Sequence, residues 1–415
     1  MSEARANNQN RRLKVIHLIE GLGSGGAERL LYTNLKHFDR ELLENEVVTV
    51  FSAADYWKQP ILDLDVPVST LDCRSLRDIL TGVQRLRKEI ARFKPNLIHT
   101  HLWAANIIGR IAGFLTGVPV LSSIHNPEYE PEVFTDTTEL NSKKLFVARS
   151  LDKWTARFAC RKMLAVSRYV KESASRHLDF PLEKIEVLYN PIDVSDLCSG
   201  ASRTRAMLEN ELNLPPDSLI LLNVARVAPQ KGLLYAIQAL AEIRRKFPET
   251  HLISVGGKDD AKWLARLAGE TEKLGLKNHV HLLGARRDVR DFLYNCDLFV
   301  FPSLFEGLGI ALTEAMATGC ACAASDIRPL DEFVETGVDG MLFAPANPSA
   351  LAEIAINLLE NEKKRSALGT AAREKALSLF QPQPAADKLT GIYFSMVEKE
   401  LTTETQRFLR EIVYR

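Results

Sequence analysis

Residues 302–319 read PSLFEGLGIALTEAMATG, and the order of elements in that stretch governs how the rest of the chain is read. Just upstream, DLFVFPS (297–303) is a short apolar run of the kind that forms a buried strand. Gly307 and Gly309 then mark a tight turn, and the Ala-rich run from about Ile310 has helical composition. A strand, a glycine turn and a helix in that order present backbone amides at the carboxyl edge of a sheet, where open α/β sheets bind ligands. Glu306 precedes the turn and Glu314 follows it. A carboxylate in the first helical turn gains roughly 0.3–1 kcal/mol from the helix dipole. Capping of that kind accounts for Glu314 and leaves Glu306 unexplained. Amides for an anion, set beside carboxylates for hydroxyls, match a phosphorylated sugar.

The bulk properties set the frame for this motif. At 415 residues the chain exceeds one ordinary domain, and two are expected. Hydrophobic content of 46% and charged content of 26% are those of a soluble globular protein. The formal charge is zero, which argues against a dedicated nucleic-acid binder. The opening segment MSEARANNQNRRLK is polar and lacks the apolar core of a signal peptide. The most apolar region, 97–122, is broken by His99, His101 and Arg110 and cannot be a spanning helix. The six cysteines (73, 160, 198, 296, 320 and 322) are scattered, and CACAAS (320–325) reads as a strand with small buried thiols. A cytoplasmic protein is expected.

Strand-like runs alternate with amphipathic stretches along the whole chain, the pattern of parallel sheets with helical crossovers. In the first half the strands are KVIHLIE, EVVTVF, LIHTH, PVLSSIH, KMLAVS and KIEVLYN, with helices such as 27–38 and 79–93 between them. NPIDVSDLCSGASRTR (190–205) loses periodicity and collects Pro, Ser and Gly, which marks a linker. The alternation resumes with SLILLNVAR, HLISVGG, VHLLG, DLFVFPS, CACAAS and GMLFAP. Two doubly wound α/β domains facing across a cleft fit this order.

Three further segments carry candidate chemistry. GLGSGGAERL follows the first strand, and Gly21, Gly23 and Gly26 match G-x-G-x-x-G. A structural turn, a nicotinamide site and a sugar or phosphate contact all remain open there. The acidic residue that a dinucleotide site needs is poorly matched, because Asp55 lies well past the second strand. In NVARVAPQKGLLYAIQAL, Arg226 and Lys231 flank a short loop before a helix opening at Gly232. Two cations at a helix N-terminus act on the same anion and form a diphosphate clamp, although two ordinary surface cations would read the same way. His125, in SSIHNPEY, follows another strand end.

FEGLGIALTEAMATG, with Glu306 and Glu314 separated by seven residues, resembles the E-x7-E motif of retaining glycosyltransferases of family 4, which have the GT-B fold. GSGGAERL, LYNPIDV, NVARVAPQKG and ASDIRPLDEFVETGVDGMLFAP agree with it. The similarity extends over about 13–394. It implies an N-terminal Rossmann-like domain at 12–195, a nucleotide-sugar-binding domain at 196–383, and a last helix (384–415) that crosses back to the first domain. It also implies roles: Arg226 and Lys231 on the donor diphosphate, Glu314 on the ribose, Glu306 on the sugar hydroxyls, and the amides of Gly307, Leu308 and Gly309 on phosphate or sugar. Gly25 and Gly26 would approach the donor from the first domain, and His125 would face the sugar. Two positions depart from the family: Ala225 stands where it usually has Gly, and Asn190-Pro191 where it has Asn-Gly.

The expectation is a metal-independent, retaining transfer from a UDP- or GDP-sugar to a lipid-linked or glycan acceptor, with no cofactor and no nucleic acid. No DxD-like metal motif accompanies these residues. A nicotinamide oxidoreductase, a non-catalytic sugar-nucleotide binder and an epimerase of the same fold are the competing readings. Finally, the segment 142–163 reads as a helix carrying Arg149, Lys153, Arg157 and Arg161 four residues apart, with Leu145, Phe146, Trp154 and Phe158 beside or opposite them. With the second basic cluster RLRKEIARFK, it points to docking of the first domain on an anionic bilayer. A solvated face with its aromatic side in the core is the alternative.

Overall fold

The structure, a computed structural model, describes residues 12–23, 25–52, 55–131, 142–193, 197–257 and 260–397. The alternating runs build two sheets. The first comprises β1 (Leu13–Ile19), β2 (Leu43–Phe51), β3 (Val68–Cys73), β4 (Leu97–His101), β5 (Val120–Ile124), β6 (Lys162–Ala165) and β7 (Ile185–Val187), in the order β3-β2-β1-β4-β5-β6-β7. The second comprises β8 (Leu219–Val224), β9 (Thr250–Val255), β10 (Val280–Gly284), β11 (Leu298–Phe301), β12 (Cys322–Ser325) and β13 (Met341–Phe343), in the order β10-β9-β8-β11-β12-β13. Every strand pairing in both sheets is parallel. Each sheet reverses its direction of growth once, between β1 and β4 and between β8 and β11. Loops leaving the carboxyl ends of those central strands diverge, and the gap between them is where such sheets bind ligands.

The chain divides into two compact units. One is built from residues up to Glu130, Glu139–Pro191 and Gln381 onward, the other on Ile192–Phe380. All twelve runs read as strands are strands. The edge strand β3 went unread because VSTLDC is half polar and buries only Leu71 and Cys73, so it lacks the apolar continuity of a central strand.

The helix of the basic segment spans Ser142–Ala159 and stops short of Met163. Cys160 N–H still bonds back to Ala156 O, but Arg161 N–H turns to Val120 O and starts β6. Sheet pairing therefore takes Arg161 out of the helix. The terminal helix spans Pro382–Val397 and belongs to the first unit. Its Ala386, Leu389, Ile392, Tyr393, Phe394 and Met396 join Leu13, Val15, Ile19, Leu31 and Phe38 in one core. At about 1.5–3 kcal/mol for each fully buried large side chain, that face is enough to hold the helix on the sheet.

In the second unit the loop after β8 is a 3-10 turn, Pro229–Lys231, followed by Gly232 and helix Leu233–Ile243. Gly232 has φ +65°, and a Cβ there would lie 1.8 Å from Pro302 O. Leu304 N–H donates to Gln230 O at 2.8 Å, so the loops after β8 and β11 run backbone to backbone. Only glycine permits both the left-handed conformation and that approach. Gly232→Ala is expected to lower the unfolding free energy of this unit by roughly 3 kcal/mol or more, the scale of a severe backbone lesion. Urea denaturation compared with wild type measures it, and a loss below 1 kcal/mol would show that the loops separate freely.

Candidate functional site

The reversal between β8 and β11 brings together the residues that the sequence separates by 75 positions. Lys231 Nζ lies 2.7 Å from Glu306 Oε1, and the hydroxyl of buried Ser303 donates to the same oxygen at 2.7 Å. The two side chains are 16% and 9% exposed. Both bonds fall on Oε1. Oε2 takes neither, so the carboxylate is held in one orientation with an acceptor oxygen to spare. The expectation assigned Lys231 to phosphate and Glu306 to sugar separately. Their ion pair is an addition: each fixes the other, and Lys231 retains two of its three donors.

Arg226, at the start of the loop, is exposed. Ala225, in place of the usual Gly, has no positive φ. The close approach at this point is made instead by Gly256, where a Cβ would lie 1.9 Å from Ala225 O. The glycine that matters sits on the neighbouring strand end.

Gly309 opens helix Ile310–Thr318 with φ +90°, and no side chain caps it. Gly307 to Gly309 are buried, as is Glu314. Glu314 is the fifth residue of this helix and lies beyond the first turn, which contains no acidic residue. The dipole fades within that turn. Capping therefore does not explain Glu314, and the simple reading of it fails.

In the first unit, Gly25 is the uncapped N-cap of helix Gly26–His37, and Gly25 and Gly26 are both exposed. Ser24 lies outside the described residues. β2 ends at Phe51, and the exposed Asp55 pairs with Lys58 at 3.6 Å, so among the described residues of this segment no carboxylate sits at the strand end where a dinucleotide ribose would need one. His125 follows β5, half-buried, with Nε2 3.4 Å from His101 Nδ1. Burial pushes its pKa down to about 4, so at neutral pH the ring is uncharged and offers an acceptor nitrogen.

Three residues at the same sheet edge escaped the sequence reading. Glu20, just past β1, accepts the N–H of Ala104 at 2.7 Å and so caps helix Trp103–Thr116 from 84 residues away. Burial raises its pKa. Glu128 is pushed up to about 8, first by burial and then by Asp152 and Glu20 nearby. Tyr129 donates to Asp152, whose other oxygen holds the fully buried Arg110. The only signal for Glu128 and Tyr129 was their closeness to His125 in HNPEY, and for Glu20 its place at the end of KVIHLIE, and neither says anything about burial.

Among the described residues, His17, His99 and His101 form the one group with nitrogens close enough to hold a metal, all within 4.8 Å. The bonds already made argue for a structural role. His99 uses both nitrogens, on Tyr393 Oη (2.7 Å) and Ser123 Oγ (2.8 Å), and His17 bonds Asn45 Oδ1 at 3.0 Å. Neutral rings stacked between β1, β4 and the terminal helix tie that helix to the sheet.

These groups give the first unit a definite pH response. Burial holds His17 near about 4 and His99 and His101 well below 6.5. The folded rings stay neutral while the unfolded chain protonates below about 6.5, so stability falls as pH drops from ~6.5 to ~4, by about 3 kcal/mol for His17. Glu128 acts oppositely. Its stabilising contribution is complete below about 4.5 and is lost as pH rises towards 8. Glu128→Gln removes that opposing effect. Urea unfolding of this variant, followed by tryptophan fluorescence (Trp57, Trp103 and Trp154 belong to this unit), is expected to show a steeper acid loss than wild type. A midpoint constant between pH 6.5 and 4 would contradict the assignment.

Comparison with known proteins identifies the family and the fold. The family described as glycosyl transferases group 1 matches residues 205–375, and glycosyltransferase family 4 matches residues 24–196. An Escherichia coli protein named UDP-Gal:alpha-D-GlcNAc-diphosphoundecaprenol alpha-1,3-galactosyltransferase is 27% identical over 350 residues, covering 83% of this chain and 86% of its own. An alpha-D-kanosaminyltransferase of Streptomyces kanamyceticus is 26% identical over 327 residues, covering 77% of this chain and 81% of its own. The crystal structure of Anabaena HepE with UDP-glucose superposes with a TM-score of 0.80 at 24% identity, covering 92% of this chain and 100% of that one. The chain belongs to the family 4, group 1 glycosyltransferases and has their GT-B fold of two Rossmann-like domains.

Proposed function

We propose that the chain transfers a sugar, with retention of anomeric configuration, from a nucleoside-diphosphate sugar to a hydroxyl of a lipid-linked or polysaccharide acceptor. The observation that carries this reading is the Lys231–Glu306 pair at the β8/β11 reversal, beside exposed Arg226 and an uncapped helix start. Arg226 and Lys231 take the diphosphate. Glu306 accepts sugar hydroxyls through Oε2, Glu314 accepts those of the ribose, and the amides of Gly307, Leu308 and Gly309 face phosphate or sugar. In the first unit, Gly25 and Gly26 offer a helix start suited to phosphate or sugar, and neutral His125 offers an acceptor for a hydroxyl. A uridine donor is favoured because HepE was solved with UDP-glucose and the E. coli relative is named for UDP-Gal.

In the reaction the bond from the anomeric carbon to the diphosphate oxygen breaks and a bond to the acceptor oxygen forms on the same face. The departing phosphate oxygen takes the acceptor proton. Negative charge grows on the leaving group, so cations fixed in advance bind the transition state more strongly than the ground state. Two cations and a helix start supply that charge without a divalent ion.

Arg226→Ala separates the roles cleanly, whereas Lys231→Ala would also strand the nearly buried Glu306. Calorimetry should show UDP binding weakened by roughly 1.5–3 kcal/mol in Arg226→Ala and UMP binding weakened less. Glu306→Gln should keep UDP affinity and lose most transfer across a panel of UDP- and GDP-sugars, assayed in chelator. Equal losses for UDP and UMP, or near wild-type turnover in Glu306→Gln, would remove these assignments.

We further propose that helix Ser142–Ala159 docks on an anionic bilayer and brings the acceptor to the first unit. The aromatic side is not in the core: Phe146 is 72% exposed, Trp154 56% and Phe158 57%. The neighbouring helix Trp103–Thr116 also exposes Phe114 and Leu115, and large exposed apolar side chains on two adjacent helices suit an interaction surface. Several of the cations that the sequence offers for the bilayer are already partnered. Lys153 and Arg157 share Asp179, and Arg149 donates to His177 O. In the second cluster Arg92 is paired with Glu46 and Glu89, and Arg85 is spent on the carbonyls of Leu71 and Asp72. Among the described residues no helix is long and apolar enough to cross a membrane, so docking would be peripheral. Flotation with liposomes containing anionic lipid should recover the protein, and Trp154→Ser with Phe158→Ser should abolish recovery. Equal flotation of the double variant would refute the surface.

A further inference from the structure

Four of the six cysteines, scattered in sequence, gather in the second unit near the C-terminal end of helix Ile310–Thr318. Cys198 Sγ lies 3.5 Å from Ala317 O, and Cys322 Sγ lies 3.3 Å from Cys320 O. Cys296 and Cys320 face each other with Sγ atoms 3.7 Å apart. Topology makes this pair. Cys296 ends helix Val289–Asn295 just before β11, Cys320 follows Gly319 just before β12, and these strands are neighbours with Phe299 opposite Cys322.

Both thiols line a crevice of about 210 Å³, whose walls include Tyr294, Asp297, Glu362 and Arg365. Both are free. Among the described residues no third histidine, cysteine or carboxylate completes a metal-ligand group with them. The crevice lies at the amino ends of β11 and β12, the opposite edge from Glu306. Within the pair the two sulfurs differ. The contact with Cys296 and the Thr318 hydroxyl at 3.2 Å favour the thiolate of Cys320 over the opposing effects of burial and of the Leu293 carbonyl 2.8 Å away, while the same contact and burial push the Cys296 thiol up.

We propose that Cys296 and Cys320 are a reversible dithiol–disulfide pair that reacts with small organic disulfides entering this crevice. The Cys320 thiolate attacks one sulfur of the small disulfide, forming a mixed disulfide and expelling a thiolate. Cys296 gives its proton to solvent and its sulfur displaces the second thiolate. Two protein thiols are oxidised and one small disulfide is reduced to two thiols. Closing the sulfurs from 3.7 Å to the ~2 Å of a bond draws Gly319 towards β11. Gly319 ends the helix that begins beside Gly309 and carries Glu314, so the bond reaches the donor residues. This last step rests on the donor-site reading.

The test incubates the native full-length protein with oxidised glutathione, quenches it with acid and alkylates the remaining thiols. Trypsin leaves Cys296, Cys320 and Cys322 in one fragment, because no Lys or Arg lies between Arg290 and Arg328. Cleavage after Glu306 and Glu314 parts Cys296 from the peptide that carries Cys320 and Cys322, and fragmentation in the mass spectrometer tells those two apart. A Cys296–Cys320 cross-link, removed by dithiothreitol, is expected, and Cys296→Ser should instead leave glutathione on Cys320. UDP affinity of the oxidised protein should fall several-fold and recover on reduction. Thiols that stay alkylatable throughout, a Cys320–Cys322 link, or a correct link with unchanged UDP affinity would overturn the proposal. Reduced protein that binds no UDP would instead condemn the donor-site reading, and the cross-link map would still judge the pair.

Discussion

The second unit depends on one close approach, that of Gly232 to the carbonyl of Pro302. Two parallel strands that start crossovers in opposite directions would ordinarily send their loops apart. Here the loops after β8 and β11 are locked backbone to backbone, with Gln230 O bonded to Leu304 N–H. That lock places Lys231 over Glu306. A side chain at position 232 would meet Pro302 O at 1.8 Å and force the loops apart. The separation of the two charged groups is thus set by main-chain packing, which is stiffer than two long side chains alone could be.

An ion pair this close to the interior is weak evidence of stability, since desolvation offsets much of its Coulomb gain. Its value lies in orientation. Ser303 and Lys231 both hold Oε1, which fixes the carboxylate plane before any ligand arrives. Preorganised charge of this kind acts on a reaction without reorganising during it. The first unit reaches order differently. Neutral, buried histidines line β1 and β4, and His99 among them is hydrogen-bonded to two hydroxyls, one of which belongs to Tyr393, 294 residues further along the chain. The terminal helix supplies both apolar cover and the bond that keeps His99 satisfied.

The sequence by itself determined the alternation of strands and helices, the two-domain α/β class, and the motif that points to the family. These are local signals. Apolar continuity marks a central strand, and glycine before a helix marks a ligand-binding turn, because both act over a few residues. It also supplied Glu306, Arg226, Lys231 and His125 as candidates from their places just past strand ends, and Glu314 from its spacing to Glu306. It failed on β3, whose edge position tolerates polar residues, and on the end of helix Ser142–Ala159, where pairing with β5 outweighed helical periodicity.

Tertiary structure alone decided which candidates meet and in what state. The Lys231–Glu306 pair spans 75 residues, Glu20 caps a helix 84 residues away, and Cys296 faces Cys320 only because β11 and β12 are neighbours. The neutrality of His125 and of the Glu128 carboxyl comes from burial. The outward turn of Phe146, Trp154 and Phe158 follows from which face of their helix the neighbouring helices Trp103–Thr116 and Arg168–Leu178 cover. Long-range contact, burial and charge state depend on neighbours that spacing along the chain does not specify. The elements were therefore legible, while the chemistry of the residues they carry was set by packing.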